Sequence, residues 1–120
     1  MNANELMLGN YINKSGDIFK LASINTDNTI RIYNESETDT YGFFALRIFK
    51  PIPLTEKWLL DFGFKTDIFG FNFNLKDFTI TLPIYFVYKN LKLKKLKYVH
   101  QLQNLHFSLT GNHLKLVEPK

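Results

Sequence analysis

Pro51-Ile-Pro-Leu-Thr-Glu-Lys-Trp-Leu-Leu-Asp-Phe-Gly-Phe64 decides the fold, because this stretch carries a helix together with its start and stop signals. Two prolines fix φ and push their neighbours to extended conformations, so no helix is expected before Leu54. Thr55 is predicted to cap the following helix, since its oxygen can accept a bond from a free N–H of the first turn. Gly63 lies where a left-handed residue ends a helix. The stretch therefore predicts a hinge at Pro51–Pro53 and a short helix after it.

A second helix is predicted near the other end of the chain, between Lys97 and Gly111. Its apolar residues recur at i, i+4, i+7 and i+11, and they are Tyr98, Leu102, Leu105 and Leu109. This spacing is typical of a helix that buries one stripe of its surface. The glycine is predicted to end it.

Short antiparallel strands are predicted for most of the remaining chain. In the first 50 residues they are separated by turn clusters such as Asn25–Asn28, where Asn and Asp tolerate left-handed geometry. Residues Thr29–Tyr33 alternate, with Ile30 and Ile32 on one face. Such spacing is typical of a small antiparallel barrel or curled sheet, as in small-barrel domains of the Src-homology or KOW type. After the hinge, residues 69–75 alternate strictly and predict a further strand.

The predicted fold class is therefore α+β. We expect a small-barrel-like antiparallel lobe over residues 1–50. Residues 51–120 are expected to form a lobe of one helix, antiparallel aromatic strands and a C-terminal helix. A chain of 120 residues has the size of one domain, so the two lobes are expected to form one compact unit. The 12 phenylalanines suit strands and a packed interior.

Composition excludes several classes of site. The chain has no cysteine, which excludes a disulfide scaffold, a thiol nucleophile and a thiolate metal site. The first residues show no basic segment followed by an apolar run, and no apolar run approaches the ~20 residues that a membrane span needs. We therefore expect a cytoplasmic protein with no membrane partner.

A basic ridge is predicted in the second half of the chain. Residues 61–120 carry nine basic and four acidic side chains, whereas residues 1–60 carry six and seven. The predicted ridge consists of five lysines and two flanking tyrosines, namely Lys89, Lys92, Lys94, Lys95, Lys97, Tyr88 and Tyr98. Such a ridge can follow a phosphate backbone while its tyrosines stack on bases. The alternative is that the lysines protect an exposed edge strand from unwanted pairing.

A second candidate site is the predicted outer face of the C-terminal helix. Its polar and aromatic residues are His100, Gln101, Gln103, Asn104 and Phe107. One interpretation is a face that binds a partner through polar anchors. The alternative is that the same side chains cap the helix and pack it against the N-terminal lobe, with Gln101 and Asn104 bonded to nearby backbone groups.

Motifs for metal binding and for catalysis are not found. His100, His106 and His113 are spaced by six and seven residues, which does not place them on one helical face as zinc ligands. The acidic loop Glu35, Glu37 and Asp39 lacks the glycine and the closing glutamate of a calcium loop. The chain also lacks a phosphate-binding loop, a nucleophile elbow and a His-Glu-x-x-His sequence. We expect no cofactor, no metal and no enzymatic activity.

Three stretches carry a resemblance to a known group of proteins. They are Asn4-Glu5-Leu6 with Gly9-Asn10-Tyr11, the stretch Pro51 to Phe64, and Tyr98-Val-His-Gln-Leu-Gln-Asn-Leu-His-Phe-Ser-Leu-Thr-Gly111. In these stretches the chain resembles a family of small uncharacterised proteins of Bacteroidetes bacteria and their phages and prophages. The resemblance implies a phage or mobile-element accessory protein in the cytoplasm of a bacterial host, and it implies no particular chemistry.

Three functions are compatible with these observations. The first is a non-catalytic protein that binds and modulates a host protein or ribonucleoprotein machine, such as an anti-CRISPR-like inhibitor of an RNA-guided nuclease. The second is a module that binds single-stranded RNA or DNA directly through the lysine ridge. The third is a subunit of a virion or another assembly. The sequence leaves the oligomeric state open.

Overall fold

The structure is a computed structural model. It describes residues 3–34, 37–66, 72–75, 78–81, 85–88 and 91–116, with the backbone alone for 81, 85–88 and 91–95. The chain divides into two compact units. The first comprises Met1–Ile52 and Tyr98–His113, and the second comprises Pro53–Lys97 and Leu114–Lys120. The predicted boundary after residue 50 lies close to this division, but the C-terminal helix belongs to the first unit and not to the second.

The first unit is built on a four-stranded antiparallel sheet in the order β1-β2-β3-β4. The strands are β1 (Tyr11–Lys14), β2 (Asp17–Ile24), β3 (Thr29–Tyr33) and β4 (Thr40–Ala45). A 3-10 helix, Leu46–Ile48, follows β4. Lys50 then returns beside β1, where its backbone exchanges hydrogen bonds of 3.0 and 2.7 Å with Asn13. The sheet therefore curls as the small-barrel-like prediction requires.

Two bulges bend this sheet on either side of β3. Between the pairs Leu21↔Ile32 and Ser23↔Arg31, β2 contains one residue more than β3. Between Ile30↔Phe44 and Ile32↔Tyr41, β4 contains the extra residue. A bulge bends its strand and increases the local twist. The curled sheet encloses an apolar core of Leu6, Ile12, Leu21, Ile30, Ile32, Leu46 and Phe49.

The second unit contains a five-stranded antiparallel sheet in the order β5-β6-β7-β8-β9. Its strands are β5 (Lys65–Thr66), β6 (Asn72–Leu75), β7 (Phe78–Thr81), β8 (Tyr85–Tyr88) and β9 (Leu91–Lys95). Phe73 and Ile80 lie directly opposite each other and are both buried. Phe69 and Phe71, which belong to the alternating residues 69–75 predicted to form a strand, lie outside the described residues.

The short helix of the second unit begins and ends where the sequence predicted. Helix α1 spans Glu56–Asp61, and the Thr55 hydroxyl accepts a hydrogen bond of 3.4 Å from the backbone N–H of Trp58. Gly63 follows the helix with a φ of 94°, a left-handed conformation that glycine adopts without steric cost. Local signals were sufficient here because capping involves neighbouring residues alone.

Helix α2 spans Val99–Thr110 and ends at Gly111, which has a φ of 74°. At its start, the Gln101 side chain accepts a hydrogen bond of 3.1 Å from the backbone N–H of Tyr98. The buried residues of α2 are Val99, His100, Leu102, Gln103 and His106. The predicted apolar stripe is therefore correct at Leu102, but half-buried Leu105 and Leu109 are not its centre.

The α+β prediction is confirmed, with antiparallel sheets and two helices in the described ranges. Neither α1 nor α2 is long and apolar enough to cross a membrane, and no other helix in the described residues is.

Candidate binding surface

An open groove of about 400 Å³ lies on the curled sheet of the first unit. Its lining includes three tyrosines and three charged residues, namely Tyr11, Tyr33, Tyr41, Asp17, Lys20 and Glu37. We call this feature the tyrosine groove. Strands β1, β2 and β3 supply most of these side chains, because Tyr11 lies opposite Lys20 and the adjoining strand ends at Tyr33.

Lys20 lines the tyrosine groove together with Glu37 and Tyr33. Its Nζ lies 3.2 Å from both carboxylate oxygens of Glu37 and 5.9 Å from the centre of the Tyr33 ring. An ammonium group is attracted both to a carboxylate and to an aromatic face. The ion pair is partly exposed, at 30% for the Lys20 side chain and 50% for Glu37. Such a pair contributes about 0–1 kcal/mol of stability.

The pKa of Tyr11 also reflects its burial and the charge of Glu37 in the groove. Burial raises the pKa of the Tyr11 phenol above its ordinary value of 10.0, and the negative charge of Glu37 raises the pKa further. The phenol therefore stays protonated and neutral at physiological pH, with a hydroxyl that both donates and accepts hydrogen bonds. The groove thus combines the neutral phenol of Tyr11 with the carboxylates of Asp17 and Glu37.

Asn34 organises the loop that carries Glu37. The Asn34 side-chain oxygen accepts hydrogen bonds from the backbone N–H groups of Thr38, at 3.0 Å, and Asp39, at 3.4 Å. Its backbone oxygen accepts from the N–H of Glu37 at 3.0 Å. Asn side chains fix turns in this way by bonding the backbone that follows them. Glu37 has a φ of 57°, which few glutamates adopt, so the loop holds it in a defined place.

Phe43 is the most exposed large apolar side chain of the described residues, with 72% of its surface accessible. The Arg31 guanidinium lies 5.0 Å from the centre of its ring. Arg31 is itself fixed, because it donates hydrogen bonds to the Thr40 hydroxyl at 3.2 Å and to the Thr40 carbonyl at 3.0 Å. We call Arg31, Thr40, Gly42 and Phe43 the Phe43 platform.

The exposure of Phe43 depends on the glycine at position 42. It has a φ of 96°, and a Cβ at this position would overlap the ring of Phe44. The residue lies in the bulge of β4, between Tyr41 and Phe44 in the pairing with β3. Bulges at sheet edges commonly re-aim a side chain. The bulge of β4 leaves Phe43 exposed while Phe44 packs against the core.

The lysine ridge predicted for nucleic acid lies on β9, an edge strand of the second sheet. Lys92, Lys94 and Lys95 belong to this strand, and Lys97 follows it as an exposed residue. Tyr88 ends β8, Tyr98 is half-buried before α2, and Lys89 lies outside the described residues. An edge position suits a phosphate-binding ridge and a protective row of lysines equally. The role of the ridge stays a prediction.

The predicted outer face of α2 requires correction at two residues. His100 is 1% exposed and Gln103 is 6% exposed, so neither side chain is presented to solvent. Gln103 accepts a hydrogen bond of 2.9 Å from the backbone N–H of Tyr11 and donates one of 3.0 Å to the carbonyl of Gly9. Polar side chains can be buried when they replace the hydrogen bonds that water would make. Helix α2 uses this residue to hold β1.

The other residues of that face are less buried. Asn104 donates a hydrogen bond of 2.8 Å to the carbonyl of Glu5, which agrees with the alternative of packing against the N-terminal segment. Phe107 is half-buried, and its ring lies 4.5 Å from that of His113. The Asn104 side chain therefore connects α2 to the N-terminal segment of the first unit.

The three histidines do not converge on one point. His106 Nδ1 lies 2.9 Å from the carbonyl oxygen of Asn112, whereas His113 is exposed beside Phe107. His100 Nε2 lies 3.8 Å from a carboxylate oxygen of Glu5. Within the described ranges, no group of three or more His, Asp or Glu side chains is placed to hold a metal ion.

The acidic loop has structural contacts in the residues that the structure describes. Glu37 pairs with Lys20 in the tyrosine groove, and the Asp39 carboxylate accepts a hydrogen bond of 2.8 Å from the N–H of Thr40. Glu35 lies outside the described residues.

Sequence reasoning missed both the tyrosine groove and the Phe43 platform. The groove joins Tyr11, Lys20, Tyr33 and Glu37, whose proximity depends on strand pairing that no local motif encodes. The platform left one signal, since a glycine inside a strand often marks a bulge.

Comparison of the chain with protein-family models, with curated proteins and with solved structures gives no match.

Proposed function

We propose that this chain is a non-catalytic protein-binding domain of a phage or mobile element that binds and modulates a host protein or ribonucleoprotein machine. The observation that carries the proposal is the Phe43 platform, where an aromatic ring with 72% exposure is held over a fixed guanidinium. The resemblance to phage and prophage proteins supports a host target. An RNA-guided nuclease is the first machine to test, and its inhibition would make the protein anti-CRISPR-like.

The platform has the properties of an interface anchor. A few residues supply most of the binding energy of a protein interface, and Tyr and Arg are enriched among them. Scattered exposed apolar residues are common on protein surfaces. Phe43 differs from them because the hydrogen-bonded Arg31 guanidinium lies 5.0 Å from the centre of its ring. A contact that restricts the ring lowers the entropy lost when a partner covers it. Tyr41, two residues earlier on the same strand, lines the tyrosine groove and extends the surface.

Affinity capture with a matched pair of variants tests the proposal. The tagged wild type, Phe43→Thr and Leu60→Gln are exposed to a Bacteroidetes host lysate, with and without RNase and DNase. Leu60 is the control because it is another exposed apolar residue, at 48%, on α1. We expect a protein that is retained after nuclease treatment, lost with Phe43→Thr and kept with Leu60→Gln. A partner retained equally by all three proteins would refute the role of Phe43.

Direct binding of single-stranded nucleic acid is the second candidate, since β9 places three lysines on an edge strand. It predicts binding that weakens steeply with salt, because lysines that neutralise phosphates release counterions. Changing Lys92, Lys94, Lys95 and Lys97 together to Glu should abolish this binding. Unchanged binding after these substitutions would remove the ridge from consideration. Capture of partners that disappear with nuclease treatment would favour this candidate over the first.

A further inference from the structure

Lys20 occupies the tyrosine groove in the way that a cationic ligand would. Its ammonium group lies between two kinds of acceptor, the Glu37 carboxylate at 3.2 Å and the Tyr33 ring at 5.9 Å from its centre. A carboxylate beside an aromatic face is a general arrangement for binding cations in proteins. The groove is therefore already formed for a positive charge, and the chain fills it with its own side chain.

The Lys20 ammonium is easily displaced from the Glu37 carboxylate. Both members of the Lys20–Glu37 pair are partly exposed, so water screens their attraction and competes for their hydrogen bonds. The 5.9 Å separation from Tyr33 lies at the outer limit of a cation–π contact. A lysine side chain rotates freely about four carbons. A better cation can thus take its place without a change in the sheet.

The groove also keeps an excess of negative charge. Asp17 and Glu37 line it together with the single cation Lys20, which leaves one carboxylate charge uncompensated among these residues. This excess attracts a further positive group. The walls are the phenol rings of Tyr11, Tyr33 and Tyr41, whose faces are electron-rich.

We propose that the tyrosine groove binds an arginine side chain of the partner protein, with its guanidinium paired to Glu37 and stacked on Tyr33 in the place of the Lys20 ammonium. Arginine fits better than lysine because its planar fork bonds both oxygens of one carboxylate and its flat surface stacks on an aromatic ring. The inference rests on the proposed function, since it names the chemistry that the partner presents beside the Phe43 platform.

Titration of the full chain with two small probes tests this inference. N-acetyl-arginine amide supplies the guanidinium, and N-acetyl-citrulline amide is a neutral control of nearly the same shape. Binding is followed by the backbone amide NMR shifts of Tyr11, Tyr33 and Glu37. We expect the arginine probe to bind with a millimolar Kd and the citrulline probe not to bind. The variant Lys20→Met, which removes the internal cation and keeps most of the length of the side chain, should bind the probe several-fold more tightly.

A further variant decides whether the carboxylate is the acceptor. Glu37→Gln should reduce binding of the arginine probe at least fivefold, both alone and combined with Lys20→Met. Equal shifts with citrulline, or binding that does not depend on Glu37, would overturn the inference. If Lys20→Met does not fold, the wild type and Glu37→Gln still give this answer. A negative result here, together with loss of the captured partner in Phe43→Thr, would reject the arginine site and leave the protein-binding function standing.

Discussion

Asn10 donates a hydrogen bond of 2.8 Å to the side chain of Asn104, although 94 positions of sequence separate the two residues. Asn10 is 2% exposed, and its own oxygen accepts a bond of 2.7 Å from the backbone N–H of Met7. Together with Gln103, these amides connect α2 to the segment that leads into β1. Buried polar groups with all partners present specify one arrangement of the elements that they join.

Replacement of Gln103 should expose the cost of breaking this connection. Gln103→Leu keeps the helix propensity and the approximate size of the side chain, but it leaves the N–H of Tyr11 and the carbonyl of Gly9 without the side-chain amide that now bonds them. We expect the free energy of unfolding to fall by about 2–4 kcal/mol, since an unsatisfied buried group costs about 1–3 kcal/mol. Urea denaturation followed by circular dichroism measures this. Ser108→Leu, at an exposed position of the same helix, should change it by less than about 0.5 kcal/mol.

His100 should make the protein less stable in acid. Among the described residues neither of its ring nitrogens has a hydrogen-bond partner. Burial lowers the pKa of His100 below its ordinary value of 6.5, and the nearby Glu5 carboxylate opposes this in part. The unfolded chain therefore binds the proton more readily. The free energy of unfolding should fall as pH drops below 6.5 and level off below the folded pKa.

The variant His100→Leu isolates this contribution from the other titrating groups. As pH falls, the free energy of unfolding of the wild type should decrease relative to that of the variant. The decrease is at most about 1.4 kcal/mol per pH unit, the limit for one proton. Denaturant titrations at pH 8, 7, 6 and 5 measure it. Parallel pH profiles for the two proteins would show that His100 does not titrate differently on folding.

Substitutions at two glycines of similar φ distinguish the cost of steric overlap from the cost of backbone strain. Gly42 and Gly16 have φ values of 96° and 91°, but a Cβ would overlap the Phe44 ring only at Gly42 and would meet nothing within 4 Å at Gly16. Gly16→Ala should cost about 1–2 kcal/mol, the penalty for an L-residue in the left-handed region. Gly42→Ala should cost more, by about 1–3 kcal/mol of overpacking. Equal losses in thermal denaturation would contradict the predicted overlap with Phe44.

The turn between β1 and β2 offers a stabilising substitution. Ser15 and Gly16 form its two-residue loop, and both have positive φ, at 54° and 91°. A turn of this kind strongly prefers Asn-Gly, because Asn tolerates left-handed geometry better than Ser. Ser15→Asn should raise the free energy of unfolding by a few tenths to about 1 kcal/mol. Ser15→Val is the opposing control, since a β-branched residue at this φ should lower it.

The success of sequence reasoning depended on how local each feature is. Thr55, Gly63 and Gly111 were placed correctly because caps and left-handed stops involve neighbouring residues. The residues Thr29–Tyr33 form a strand with the predicted limits, because alternation is also a local pattern. The curled sheet followed from the spacing of turns along the first 50 residues.

Features made by distant residues were predicted poorly. Gln103 and His100 are polar, so the apolar stripe of α2 was centred on leucines instead. Gln103 bonds Gly9 and Tyr11, and His100 lies near Glu5, all of which are more than 90 positions away in the sequence. The tyrosine groove failed for the same reason, because the pairing of β1 with β2 and the loop holding Glu37 bring its residues together.

The first unit is made from two separate pieces of chain, and this has a consequence for synthesis on the ribosome. The pieces meet where the N–H of Val99 bonds the carbonyl of Ile52 at 2.8 Å, so residues 53–97 form an insertion between neighbouring points. A nascent chain that has released only β1 to β4 lacks the amides of Gln103 and Asn104 that hold its beginning. The first unit therefore cannot be completed until residues 53–97 of the second unit have been synthesised.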